Sequence, residues 1–191
     1  MIIMANTVLV QTQCTAMNVD AYNRTGVATV DVPNGTPLVC GVVSDDPKQK
    51  HVFKVTPAAG VQKGLWMAYS PEVVTTQSAQ NTALQYKGTD VDPRDFTNVA
   101  NVPFDIFYVQ PNVDLIQVTA PFFKAGNDPE TITGATYVEI QSDGTFAAKT
   151  SATVGFGGMQ FRIISKEPIV IASGQLGGEH VDAWILECTI N

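Results

Sequence analysis

The chain has 191 residues, 45% of them hydrophobic and 15% charged, with 11 Lys+Arg against 18 Asp+Glu for a formal net charge of −7. That length suits one domain, or one domain with an arm, and is enough to bury a sizeable core. Direct nucleic-acid binding is excluded because it needs clustered cations, and no apolar run approaches the roughly 18–20 residues of a membrane helix.

Charge is sparse beside the roughly 25% common in soluble domains. Such a surface is either rich in neutral polar side chains or partly hidden against other subunits. The three cysteines, Cys14, Cys40 and Cys188, are odd in number and lack a CxxC spacing, so neither a disulfide framework nor a zinc site is expected. The opening residues 1–10 carry no basic stretch and no small-residue cleavage site, which predicts synthesis in a cytoplasm without a secretion signal.

Val, Ile and Thr are abundant, and 15 Gly and 11 Pro punctuate the chain at short intervals, a pattern that favours strands. Residues 1–20 read as an extended N-terminal arm or first strand, with Val8 and Val10 alternating through Thr7–Thr15. Gly26–Val32 and Leu38–Val43 flank Asn34-Gly35, a hairpin signal because the pair tolerates positive φ. His51–Thr56 alternates, with Phe53 and Val55 on one face and Val52 and Lys54 on the other, and Gly64–Tyr69 is an apolar run of strand length. The polar stretch from Glu72 to Gly88 lacks both periodicities and reads as a loop excursion, with a short helix as the alternative over Glu72–Leu84.

Phe104–Gln110 and Asn112–Thr119 predict two strands around Pro111. Tyr137–Gln141, the turn Ser142-Asp143-Gly144 and Thr145–Lys149 predict a second hairpin. Met159–Ser165, Ile169–Ala172 and Val181–Ile190 complete the set. The expected fold is all-β, an antiparallel sandwich or barrel of short strands with little helix, in which residues 21–191 form a single domain.

The sequence holds no phosphate-binding loop, nucleophile elbow, HExxH or GxGxxG motif. Gly155-Phe156-Gly157-Gly158 and Gly174–Gly178 precede predicted strands and read as turns or bulges. Only His51 and His180 could serve a nucleophilic triad, and His51 is more simply a strand surface residue. His180 and Asp182 share one strand face but make two ligands where a metal needs three or four. Asp90, Asp92 and Asp95 lack the glycine and terminal glutamate of a calcium loop and read as turn formers. Trp66, Tyr69, Tyr86, Phe104, Phe107 and Tyr108 could line a sugar platform, although core or subunit interface is the simpler account. In Phe122-Phe123, strand alternation would turn one ring away from the core, toward a partner. No residue is therefore singled out as catalytic, cofactor-binding or metal-ligating, and no enzyme activity or cofactor is expected.

The start Met4–Val10, Val32-Pro33-Asn34-Gly35-Thr36-Pro37-Leu38-Val39, Val52–Pro57, Leu65–Val73, Asp95–Asn98 and Asp105-Ile106-Phe107 occur in an order that resembles the head or decoration-type proteins of tailed phages. The likeness spans residues 4–108, and it is carried by strand and turn residues. It implies a β-domain that sits on an assembled capsid, with the major capsid protein or other virion proteins as partners. A homo-oligomer is implied too, and a trimer would match capsid symmetry. Under that resemblance the protein is located in the virion, on the capsid surface. The alternatives are a tail, baseplate or fibre component, and a carbohydrate-binding or adhesin-like module.

Overall fold

The computed structural model describes residues 6–10, 20–70, 75–77, 84–86, 93–172 and 178–191. The fold is all-β, and two assemblies share the chain. After the short β1 (Leu9–Val10) come β2 (Asn23–Val27), β3 (Pro37–Val43), β4 (Val52–Pro57), β5 (Trp66–Ala68) and β8 (Phe104–Tyr108), which close into a barrel in the order β2-β4-β3-β5-β8. The second half adds β9 (Leu115–Thr119), β10 (Tyr137–Ile140), β11 (Phe146–Lys149), β12 (Gln160–Lys166) and β15 (Ala183–Ile190). With β1 at one edge they form a six-stranded antiparallel sheet, β1-β9-β15-β12-β10-β11.

Two strands explain how barrel and sheet are joined. Trp66 and Ala68 of β5, with Phe104 and Ile106 of β8, point into the barrel's own core beside Leu38 and Val55. The alternate residues Met67 and Phe107 join the core of the sheet with Ile116, Phe146, Phe161 and Leu186. Successive strand side chains face opposite ways, so β5 and β8 contribute to both cores; every residue of Trp66–Ala68 is buried, while Asp105 of β8 is exposed. At the contact between the two assemblies, the Asn191 side chain accepts from Leu65 N and donates to the carbonyls of Leu65 and Val109. The β10–β11 turn lies so close to Ala58 that a Cβ on Gly144 would stand 1.8 Å from its carbonyl oxygen. Gly144 also has φ +78°, which suits the left-handed position of a three-residue hairpin loop.

Several expectations change. Asn34-Gly35 does form a turn, with Thr36 N donating to Pro33 O (3.3 Å) and Gly35 at φ +81°. It is not a hairpin turn, because β2 pairs with β4 in parallel and with β8, while β3 pairs with β4 and β5. Only Gly35 of the pair has positive φ, so the turn lacks the mirror-image twist that joins adjacent strands. Asn34 is held instead by its buried side chain, which donates to Ser70 O and accepts from Ser70 N and Asn98 Nδ2. The strand expected to reach Val32 ends at Val27, and Val32 forms an isolated bridge to Asn98.

Within the stretch read as a loop or short helix, β6 (Thr75–Gln77) and β7 (Leu84–Tyr86) pair as an antiparallel hairpin. The expected strand Val181–Ile190 divides at Asp182, with β13 (Ile169–Ala172) pairing β14 (Gly178–Val181) while β15 joins the large sheet. Leu9 and Val10, placed on the arm or first strand, pair with Val118 and Gln117 of β9; residues 1–5 and 11–19 of that segment lie outside the described residues. The Phe122-Phe123 doublet also departs from strand geometry. A 3-10 turn over Ala120–Phe122 breaks the alternation, and both rings are buried. Phe122 stacks on Phe146 at 4.4 Å, and Phe123 meets Trp184 edge-on at 5.5 Å. The doublet therefore supplies core, and its exposure cannot argue for a partner.

The Tyr137–Lys149 hairpin forms in register, Ile140 opposite Phe146 and Tyr137 opposite Lys149. Glu139, within this hairpin, is buried, yet its carboxylate accepts from Thr153 N, Thr153 Oγ1 and Gln160 Nε2. A buried charge is tolerable where such donors surround it.

Candidate functional site

A pocket of about 700 Å³ opens where the barrel meets the sheet. The Pro33–Pro37 turn, Pro57 and Ala58 wall it from the barrel; Phe122, Phe123 and the Asp143–Phe146 turn wall it from the sheet. The titratable side chains along it are Lys124, Asp128 and Asp143. Lys124 Nζ lies 2.8 Å from Asp143 Oδ2. That ammonium, with donation from the Thr145 hydroxyl and amide, holds the Asp143 carboxyl far below the usual carboxylate range. Asp128 is desolvated, which works to raise it, but donors from Thr131 and Glu130 prevail and leave it below its ordinary value. Both carboxylates are occupied in fixing loops. Apolar walls of proline and phenylalanine make the pocket suited to an apolar side chain rather than to proton transfer.

A second feature belongs to the barrel. Val39, Val42 and Val43 of β3, with Val30, Val99 and Val102 in neighbouring loops, are exposed, Val42 at 70%. Exposed aliphatic side chains also occur in the second half, at Val113, Val154, Ile164 of β12 and Val170 of β13, but those of β3 lie on a single strand.

The residues weighed from the sequence are not brought together. His51 is exposed in the turn before β4, and His180 is exposed on β14. Asp182, expected beside His180, pairs with Lys166 at 2.8 Å, and Lys166 also reaches Glu130 at 2.7 Å. These two carboxylates raise the Lys166 ammonium above its ordinary value. Asp90 and Asp92 lie outside the described residues, and Asp95 ends a 3-10 turn at Pro93–Asp95. Among the described residues, no group of three His, Cys, Asp or Glu could hold a metal ion. Trp66, Phe104 and Phe107 are buried, Tyr69 and Tyr108 half-buried; these rings serve the two cores, and the Tyr86 side chain is outside the described set. Cys188 is buried and Cys40 half-buried, both as thiols, while Cys14 is outside the described residues.

Sequence reasoning missed the pocket, whose facing walls, residues 33–58 and 122–146, are separated by more than sixty residues along the chain. It also missed Arg24. The guanidinium carbon of Arg24 is 4.4 Å from the Phe53 ring centroid and 4.6 Å from that of Trp66. The only signal in the sequence was the scarcity of arginine.

Compared with known proteins, the chain matches no family model, no curated protein and no solved structure.

Proposed function

We propose that the chain is a virion structural protein, a capsid decoration or head auxiliary protein that binds the assembled shell and carries no catalytic step or cofactor. The observation that carries the reading is the set of exposed aliphatic side chains on β3 and the barrel loops, beside a sheet that keeps its aromatic residues inside. Its sequence support is the resemblance over residues 4–108, a span that ends with the last barrel strand. Sparse charge fits a surface partly covered in an assembly. Net negative charge fits the outside of a shell whose inner wall faces DNA. The partners are the major capsid protein and further copies of this chain, with a trimer as the symmetric arrangement.

Co-sedimentation with mature, expanded capsids tests the reading. Stoichiometric binding is expected, and Val42→Glu should lower it at least tenfold while changing stability by no more than about 0.5 kcal/mol, since the side chain is exposed. Failure of the unaltered chain to sediment with any capsid or virion would sink the proposal.

A further inference from the structure

One end of the barrel carries a charged feature beside the exposed valines of β3. Each of the five barrel strands contributes one side chain to it: Arg24 from β2, Cys40 from β3, Phe53 from β4, Trp66 from β5 and Tyr108 from β8. Arg24 shares its strand face with Gly26, whose Cβ position lies 3.1 Å from Ile106 and Val55 inside the barrel. The arginine therefore points across the mouth. Its guanidinium packs on Phe53 and Trp66, and Nη1 donates to Cys40 Sγ at 3.7 Å. Trp66 is braced edge-on by Tyr108, with centroids 5.6 Å apart.

The charge on this group is unanswered. Arg94 pairs with Glu179 at 2.9 Å and Arg162 with Glu187 at 2.5 Å. Among the described residues Arg24 is the one arginine without an acidic partner, in a chain with seven more acids than bases. Contact with aromatic faces stabilises a cation without neutralising it. Packing on two rings also fixes the long side chain in advance, so little further freedom is lost when its N–H donors engage an acceptor. A guanidinium held this way presents the forked donor geometry that a planar carboxylate fits.

We propose that the Arg24 mouth of the barrel is a receptor for a carboxylate, the side chain of an aspartate or glutamate on a partner polypeptide. A single cation in an acidic protein suits a monoanion. Phosphate backbones call for clustered cations, and none is clustered here. The walls suit a peptide, because Val43 pairs with Phe53 in register and is itself exposed, placing an aliphatic surface beside the charge. The acidic side chain would enter the mouth while its apolar neighbours lie along β3.

The test uses the intact chain without any capsid, so its failure leaves the shell-binding reading standing. The Arg24 Nε and Trp66 indole NMR signals are followed while acetyl-Val-Glu-Val-amide, its Val-Gln-Val counterpart or inorganic phosphate is added. Saturable shifts are expected with the glutamate peptide, with binding of the glutamine peptide roughly tenfold weaker or undetected. Arg24→Gln should remove the difference between the peptides. The proposal is overturned if the glutamate peptide gives no saturable shift. An equal response to both peptides overturns it as well, marking an apolar groove only, and so does an equal response to phosphate. Should Arg24→Gln fail to fold, the two peptides on the unaltered chain still decide the matter.

Discussion

The barrel and the six-stranded sheet solve the burial problem differently. The barrel closes on itself, needs few residues to fill its centre, and leaves exposed valines on β3 and the Arg24 guanidinium packed on rings at its mouth. The sheet is open, so it must cover its face, and it does so with Phe122, Phe123, Phe146, Phe161 and Trp184 together with Met67 and Phe107 borrowed from the barrel. Closure removes strand edges without requiring an apolar exterior to be covered. The barrel thus keeps a small core of its own, while the sheet builds the larger aromatic core that both assemblies share.

The largest expected effect tests whether the sheet core holds both assemblies. Phe122→Ala should cost about 3–5 kcal/mol. Leu38→Ala, in the barrel core, should cost about 2–4 kcal/mol. Because Met67 and Phe107 belong to the sheet's core, each variant should still unfold in one transition followed by urea. Two separate transitions would break the picture of a shared core.

Gly144→Ala probes the contact itself. A methyl group there meets the Ala58 carbonyl and is imposed on a positive φ, so about 2–3 kcal/mol of stability should be lost in the same assay. A neutral result would show that barrel and sheet can separate at this turn.

Titration is the gentlest probe, and it should separate the two regions by sign. Asp143, on the sheet's turn, is lowered by Lys124, so its contribution is present above the ordinary carboxylate value and disappears only as pH falls through the folded one. Asp105, a barrel surface residue whose carboxyl is partly desolvated, is raised. Its ionisation opposes folding, and stability declines as pH rises from the ordinary value through the folded one. Carboxyl-carbon NMR should find the Asp143 midpoint below, and the Asp105 midpoint above, the roughly 3.9 of a free aspartate. Lys124→Met should bring Asp143 back up; an Asp143 midpoint unmoved by that change would remove the ion pair from the account.

Much of the strand pattern was legible because it is local. Phe53 and Val55 alternate with Lys54 in the sequence, and both pack toward the barrel core while Lys54 stays exposed. The Asp143-Gly144 turn announces a hairpin through backbone preference alone, and the hairpin forms. Asn34-Gly35 carries a similar signal and misleads, since the deciding force is the buried amide network of Asn34, Ser70 and Asn98, whose members are distant in sequence. Phe122-Phe123 misleads for a related reason. Pro121 and the 3-10 turn reset the side-chain direction, and aromatic partners at positions 146 and 184 accept both rings.

By itself, then, the sequence determined the class of structure: short β-strands, turns at glycine and proline, few charges, and no recognisable catalytic motif. These follow from backbone propensity and composition, which act within a few residues. Only the tertiary structure decided that β2 runs parallel to β4, that β5 and β8 serve two cores at once, and that Arg24 crosses the barrel to Phe53, Trp66 and Cys40. Those are meetings of residues far apart in the chain, selected by how the closed barrel and the open sheet can bury their faces together.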